Sequence, residues 1–250
     1  MARDFEKVEA AGLLPQVRDL DHYESLTSQG LAEANAYLRI LTQEGNPLCA
    51  PGPDDLLNLY RVLYGQVYEG AGEQFRPDAH GQIVLDQCEF PDDRKKWKYA
   101  ASPQIIRQEL GLLCHETEAL LKSAGFGDPR AEAPALAKLE VISFWHYRFQ
   151  RIHPFKDGNG RLGRMISNHQ AQNIIHPQAK IISSPSEDTR SRYIWALVKC
   201  GRREDLRPLS EFFAEQISLS LGNPFLSTEE TDLLAKTEQT PPYPLAKWAS

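Results

Sequence analysis

Residues 153–164 read His-Pro-Phe-Lys-Asp-Gly-Asn-Gly-Arg-Leu-Gly-Arg. One short stretch thus offers an imidazole, a carboxylate, an amide and two guanidinium groups, with Gly158 and Gly160 among them. His153 can take a proton near neutral pH, which suits a general base acting on a hydroxyl. Asp157 suits Mg²⁺, a cation that keeps waters and binds through a carboxylate together with phosphate oxygens. The glycines let backbone N–H groups turn towards an anion, and a helix beginning here presents its positive end to it. Arg161 and Arg164 are three apart, so both lie on one face of that helix. Two guanidinium groups beside such a helix end suit a polyphosphate. The chemistry these parts share is group transfer from a nucleotide.

Taken singly, each part is ordinary. A histidine before Pro-Phe is commonly structural, and Asp-Gly-Asn-Gly is a common turn sequence. Their joint occurrence between two helices carries the reading. Gly158-x-Gly160-x-x-Gly163 also has the spacing of a dinucleotide-binding fingerprint. That fingerprint needs a strand before it and a βαβ unit around it. Here Trp145, His146 and Tyr147 lie in a helical pattern, so a nicotinamide site is rejected.

The elements that must position this stretch read as helices. Val141, Trp145, Phe149 and Ile152 give spacings of four, four and three from about Pro134, and Pro154 stops that helix. A second helix is expected from about Arg161 to Ile175, before His176-Pro177. Upstream, Leu26, Leu31, Ala34, Leu38 and Leu41 mark a helix over 21–41, ended at Gly45-Asn46-Pro47. Leu56, Leu59, Leu63 and Val67 mark another, and Ser102-Pro103 opens a third that carries Ile106, Leu110, Leu113 and Leu120. Helices near 189–199 and 209–221 follow. Residues 70–100 are punctuated by Gly and Pro, and only Gln82, Ile83, Val84 and Leu85 look strand-like. The expected architecture is an all-α helical bundle with a small β-hairpin. Residues 1–49 read as an N-terminal helical segment, 50–225 as the catalytic domain and 226–250 as a loose tail with Pro241, Pro242 and Pro244.

Composition narrows the classes further. The 250 residues carry 28 Lys and Arg against 34 Asp and Glu, a net charge of −6, which disfavours a direct nucleic-acid binder. With 41% hydrophobic residues the chain can bury a core, which argues against disorder. Cys49, Cys88, Cys114 and Cys200 form no C-x-x-C pair, so a zinc ribbon is excluded. The opening MARDFEKVEA has no apolar stretch of signal-peptide type, and no run approaches the roughly 20 apolar residues of a membrane span. A cytoplasmic protein with free thiols is the expectation.

The stretch His153–Arg164 resembles the signature of the Fic family, HPFx(D/E)GNGRxxR, and matches every defined position. Residues 59–68, LYRVLYGQVY, are similar to the family's early core helix. Tyr193-Ile194-Trp195-Ala196-Leu197 and Asp205-Leu206-Arg207-Pro208-Leu209 are similar to the helices after the signature, so the resemblance covers residues 50–222. It implies a Fic-type helical bundle and a protein adenylyltransferase, which moves AMP from ATP onto a Ser, Thr or Tyr hydroxyl of a target protein and releases pyrophosphate. By that resemblance His153 is the base and Asp157 holds Mg²⁺. Gly158, Asn159 and Gly160 form the anion loop, and Arg161 and Arg164 take the β and γ phosphates. Phe155 is a core anchor. Related kinase-like toxins have an Ala-Asn-Lys-Arg type of loop, which this chain lacks.

Three further expectations follow from the resemblance. Gln82, Ile83, Val84 and Leu85 fall where the family carries a flap that aligns the target by strand addition. Tyr193 is a candidate neighbour of the adenine, with core packing as the competing role. Glu44-Gly45-Asn46 matches the end of the family's inhibitory motif (S/T)xxxE(G/N), whose Glu pairs with the last Arg of the signature. Ile40 stands where that motif has Ser or Thr. Removal of AMP by the same site and a homodimer are compatible with the sequence. The competing functions are transfer of another nucleotide or of phosphocholine on the same scaffold, and a non-catalytic nucleotide-binding module.

Overall fold

The computed structural model describes residues 13–43, 50–76, 82–83, 97–98, 103–126, 133–182, 186–203 and 205–236. Among them the architecture is an all-α bundle: α1 (Leu20–Gln43), α2 (Pro53–Tyr64), α3 (Ile106–Ser123), α4 (Ala135–Ile152), α5 (Asn159–Ile174), α6 (Glu187–Arg203), α7 (Arg207–Leu221) and α8 (Thr228–Lys236). A 3₁₀ turn, Pro103–Ile105, leads into α3. The extended residues are β1 (Gln82–Ile83) and β2 (Trp97–Lys98), paired antiparallel with Gln82 opposite Lys98 and Ile83 opposite Trp97. Of the strand expected over 82–85, Val84 and Leu85 lie outside the described residues, and no more of the expected hairpin than these two paired dipeptides is seen among the described residues.

Helix α4 is the axis of the bundle. Every residue from Val141 to Gln150 is buried, so this stretch of the helix has no solvent face. One apolar cluster joins Tyr23, Leu38, Leu59, Leu63, Ile106, Phe149 and Ile166, from α1 to α5. A second joins Ile142, Tyr147, Ile174, Tyr193, Leu197, Leu209 and Phe213 on its other side. Helix α1, read from sequence as a separate segment, packs its Tyr23, Ala34 and Leu38 into the first cluster. Helices α4 and α5 approach closely where they leave the 153–158 loop. A Cβ on Gly163 would lie 2.3 Å from Gln150 Nε2 and 3.1 Å from the Phe149 ring. Only a glycine lets the second helix come that near the first.

Helices α5, α6 and α7 each begin two residues before the expected start, and α8 is an addition to the expected elements. Helix α5 begins at Asn159 with Gly158 as its cap, two residues before the expected Arg161. Helix α8 occupies part of the expected loose tail. Ser227 Oγ accepts from the Glu230 N–H at 3.1 Å, and Glu230 Oε2 accepts from the Ser227 N–H at 3.1 Å. This is a capping box, and its Ser-x-x-Glu spacing is visible in the chain. Glu230 Oε1 also accepts from the Leu136 N–H at 3.1 Å, tying α8 to the start of α4, and Leu234 is buried. No helix among the described residues is long and apolar enough to cross a membrane.

Candidate active site

The site is built where α4 ends. His153 is the last residue of that helix's cap, its N–H bonding to the Phe149 carbonyl at 3.0 Å. Its backbone is left-handed, φ 49° and ψ 63°, a conformation that costs a non-glycine residue about 1–2 kcal/mol. Such a conformation persists where the surroundings over-determine it. Pro154 cannot continue the helix, and Arg76 holds the turn from outside. Arg76 Nε donates to the His153 carbonyl at 2.6 Å, one of its terminal nitrogens donates to the Ile152 carbonyl at 3.3 Å, and its N–H bonds to the Pro154 carbonyl at 2.8 Å. A buried guanidinium thus satisfies the carbonyls that the end of α4 leaves over. Nothing in the sequence marks Arg76, a single arginine in an irregular stretch.

The loop closes on itself through Asn159. Its Oδ1 accepts from the Phe155 N–H at 3.0 Å and its Nδ2 donates to the Phe155 carbonyl at 2.7 Å. The buried amide therefore spends both ends on the loop, and what it leaves for a ligand is its backbone N–H. Phe155 is buried and stacks on Tyr60 with ring centres 3.9 Å apart and planes 5° from parallel. That pins the loop to α2, as the core-anchor role expects. Gly158 has φ 79°, and a Cβ there would fall 2.4 Å from Cε2 of Tyr64. Both the backbone angle and the tyrosine require glycine at this point. The first intrahelical bond of α5 runs from the Leu162 N–H to the Gly158 carbonyl at 3.0 Å. The N–H groups of 159–161 precede that ladder and form the positive end of the helix.

Tyrosines surround the charged groups. Tyr68 donates to Asp157 Oδ2 at 2.7 Å, and Tyr23 and Tyr68 share a hydrogen bond at 3.3 Å. Burial, then the charge of Asp157, pushes the Tyr68 hydroxyl well above its ordinary range, so Tyr68 stays a donor. Arg161 donates to the Tyr64 hydroxyl at 3.4 Å and lies over the rings of Tyr23 and Tyr64. Arg164 goes elsewhere. One of its terminal nitrogens comes within 3.1 Å of where a Gly160 Cβ would sit, so the side chain folds back towards the start of α5. It lies over the ring of Tyr193, with the guanidinium carbon 5.9 Å from the ring centre. Tyr60, Tyr64 and Tyr68 recur every four residues, a signal that could have flagged this wall in advance.

Several sequence-predicted residues are thus brought together: His153, Asp157, Gly158, Asn159, Gly160, Arg161 and Arg164 frame one loop and one helix end. Tyr193 lies close by, but it is buried and its hydroxyl is 2.7 Å from His146 Nε2. Its polar end is engaged inside the bundle, which favours the packing role over contact with a base. Glu44 lies outside the described residues, as do Val84 and Leu85.

Three buried or half-buried imidazoles are shifted towards the neutral form. Burial, with Arg76 also acting downwards against Gln150 and Asp157, sets the pKa of His153 at about 4. Burial and the charge of Arg164 push His146 down to about 3, and burial and Arg39 lower His169. A histidine whose pKa is lower folded than unfolded contributes stability above the unfolded value of about 6.5 and loses it as pH falls towards the folded value. The thermal midpoint is therefore expected to drop steadily as pH is lowered from 7 to 4. Scanning calorimetry across that range checks it, and a midpoint that stays flat would contradict the buried, neutral state.

Residues 50–171 match the model of the Fic/DOC family. The protein adenylyltransferase Fic of Drosophila persimilis is 27% identical over 161 residues, which is 64% of this chain and 26% of that protein. The match therefore spans little more than a quarter of that relative's length. Among solved structures, Fic-1 of C. elegans superimposes with a TM-score of 0.55 at 21% identity, covering 86% of this chain and 55% of that one. An N-terminal Fic domain from a Bartonella quintana effector protein, solved with bound ADP, has a TM-score of 0.51 at 16% identity, covering 82% of this chain and 88% of that one. These two likenesses show a shared fold. Residues 50–171 of this chain carry a domain of the Fic/DOC family.

Proposed function

We propose that this protein is an adenylyltransferase that moves AMP from ATP to the hydroxyl of a Ser, Thr or Tyr side chain on a target protein. The observation that carries the reading is the juxtaposition of a neutral imidazole, a carboxylate and a helix N-terminus with two arginines around one closed loop. The family match, the curated relative's activity and the ADP held by the Bartonella quintana domain support it.

In the reaction the target oxygen attacks the α phosphorus. The bond from that phosphorus to the bridging oxygen breaks, pyrophosphate leaves, and the hydroxyl proton passes to His153. A neutral imidazole can accept it. Arg161, Arg164 and the N–H groups of 159–161 neutralise the triphosphate and hold the pyrophosphate as it departs. Catalysis of this kind rests on positioning and charge neutralisation. Asp157, oriented by Tyr68, fits a metal that needs one carboxylate and takes its other oxygens from water and phosphate. When bound there, Mg²⁺ would supply positive charge against the phosphate oxygens. Gln82 and Ile83 are the candidate edge for strand addition by the target backbone.

An internal brake belongs to the same proposal. Glu44 would compete with ATP phosphate for Arg164, charge for charge. The support lies at the end of α1. Thr42 donates to the Leu38 carbonyl at 2.8 Å and shares a 2.6 Å bond with His169 of α5. Ile40, at the motif's usual Ser or Thr position, is half exposed, and Thr42 docks the helix in its place. Glu44→Gly is expected to raise transfer by about tenfold or more, the scale of one charged contact released. The test incubates wild type and Glu44→Gly with Mg²⁺ and ATP labelled at the α or the γ phosphate. Protein-bound α label, stronger in Glu44→Gly, is the expected result. Label from the γ position, or equal α label in both proteins, would overturn the activity or the brake respectively.

A further inference from the structure

One side chain crosses between α4 and α5 where the two helices meet the loop. Gln150, in the last turn of α4, is buried. Its Nε2 donates to the Asn159 carbonyl, in the first turn of α5, at 3.3 Å. A carbonyl can only accept, so the end of the amide that faces it is the nitrogen. Asn159 is thereby held twice, by its side chain on the Phe155 backbone and by its carbonyl on Gln150.

Gly163 makes the crossing possible. A Cβ there would lie 2.3 Å from the same Nε2, well inside contact distance. Gly163 sits inside α5, where a glycine costs about 1 kcal/mol against alanine. What this glycine provides is room for the Gln150 amide.

The carbonyl that Gln150 holds shares its peptide with the Gly160 N–H. A trans peptide is planar and its C=O and N–H point in opposite directions, so fixing one aims the other. The helical pattern of α5 pairs this carbonyl with the Gly163 N–H, and Gln150 takes its second lone pair. The Gly160 N–H itself precedes the ladder, whose first bond runs from Leu162 to Gly158. It belongs to the positive end of the helix, and a bond accepted at its carbonyl polarises it further.

We propose that Gln150 is a positioning residue that pins the 159–160 peptide from inside the bundle and aims the Gly160 N–H at the phosphates, with Gly163 as the slot that admits it. The phosphate half of this statement rests on the role given to this helix end above; the pinning of the peptide does not. Gln150 touches no substrate. The ordinary alternative is a buried amide that only satisfies itself against α5, to whose loss the anion end of the helix would be indifferent.

Two measurements on the full chain test it. The first is an HNCO spectrum of ¹³C,¹⁵N-labelled protein, in which the Gly160 amide reports the carbonyl shift of Asn159. Gln150→Met keeps the length and the apolar stem and removes the donor. In this variant the Asn159 carbonyl is expected to move upfield, together with the Gly160 amide proton. An unmoved carbonyl would overturn the proposal, and this readout needs no ATP. The second is calorimetric affinity for ATP with a chelator present, so that metal plays no part. Gln150→Met is expected to bind about threefold to tenfold more weakly, the scale of one neutral hydrogen bond. Gly163→Ala expels the amide and should lose as much. The double variant should lose no more than the weaker-binding single one, because all three lack the same contact. If Gly163→Ala does not fold, Gln150→Met decides alone. Unchanged affinity, or losses that add, would overturn the positioning role. If wild type itself binds no ATP, the nucleotide reading fails and the positioning role falls with it, while the carbonyl shift still decides whether Gln150 pins the peptide.

Discussion

His153→Ala is expected to reduce AMP transfer by about 10²–10⁴-fold while leaving Mg²⁺-ATP binding close to wild type. The imidazole is the group offered to the attacking hydroxyl, whereas the triphosphate is assigned to the helix end and the arginines. The loss should therefore fall on kcat. The fold should survive, because the turn is held through backbone carbonyls and through Pro154, Phe155 and Asn159, none of which is altered. Steady-state kinetics with labelled ATP, together with calorimetric affinity, separate the two effects. A variant that lost ATP affinity and kept kcat would move His153 from proton transfer to nucleotide binding.

Arg76→Ala is expected to damage the same step from a distance. The substitution strips the charged donor from the carbonyls of Ile152 and His153 and should destabilise the protein by about 3 kcal/mol. The left-handed turn at His153 would lose its outer restraint. A displacement of about 1 Å at a reacting group costs on the order of 10²-fold in rate. The charge of Arg76 also helps hold the imidazole neutral, so its removal raises the pKa of His153. The acid limb of the rate profile should move to higher pH, a change that loosened packing alone would not produce. Arg76→Lys keeps the charge and cannot reproduce the two-carbonyl fork, so it should spare the pH limb more than the rate. Thermal melts and rate–pH profiles of the two variants check this. An unmoved limb in Arg76→Ala would show that the arginine is only a brace.

What was legible in the sequence, and what was not, follows from the range of the interactions. The bundle's helices are written in periodic leucines and aromatics, and periodicity is a local property that survives without coordinates. The loop from His153 to Arg164 is contiguous, so its chemistry could be read from spacing alone. The resemblance places Asn159 in the anion loop, and its residue type leaves open whether the amide serves the ligand or the loop. Only the fold reveals that both ends meet the Phe155 backbone. Arg76 and Tyr68 lie 77 and 89 residues from the carbonyl and the carboxylate that they hold, and no local pattern links such pairs. Helix α8 is the opposite case. Its Ser227-x-x-Glu230 cap is a local pattern present in the chain, next to the prolines on which the expected loose tail rests. Tyr193 reads in sequence as a candidate neighbour of the adenine with core packing as the competing role, and its hydroxyl is directed inwards to His146.

The central claim is that the 153–164 loop transfers a nucleoside monophosphate to a hydroxyl with His153 as base. Its most direct test takes purified Glu44→Gly protein, the same protein carrying His153→Ala, Mg²⁺, ATP and a host lysate. Mass spectrometry of modified side chains is paired with a pyrophosphate assay. The account predicts AMP in phosphodiester linkage to Ser, Thr or Tyr, one pyrophosphate released per side chain modified, and neither product once His153 is lost. Phosphate or phosphocholine on the side chain, or AMP transfer that persists in the His153→Ala protein, would contradict it.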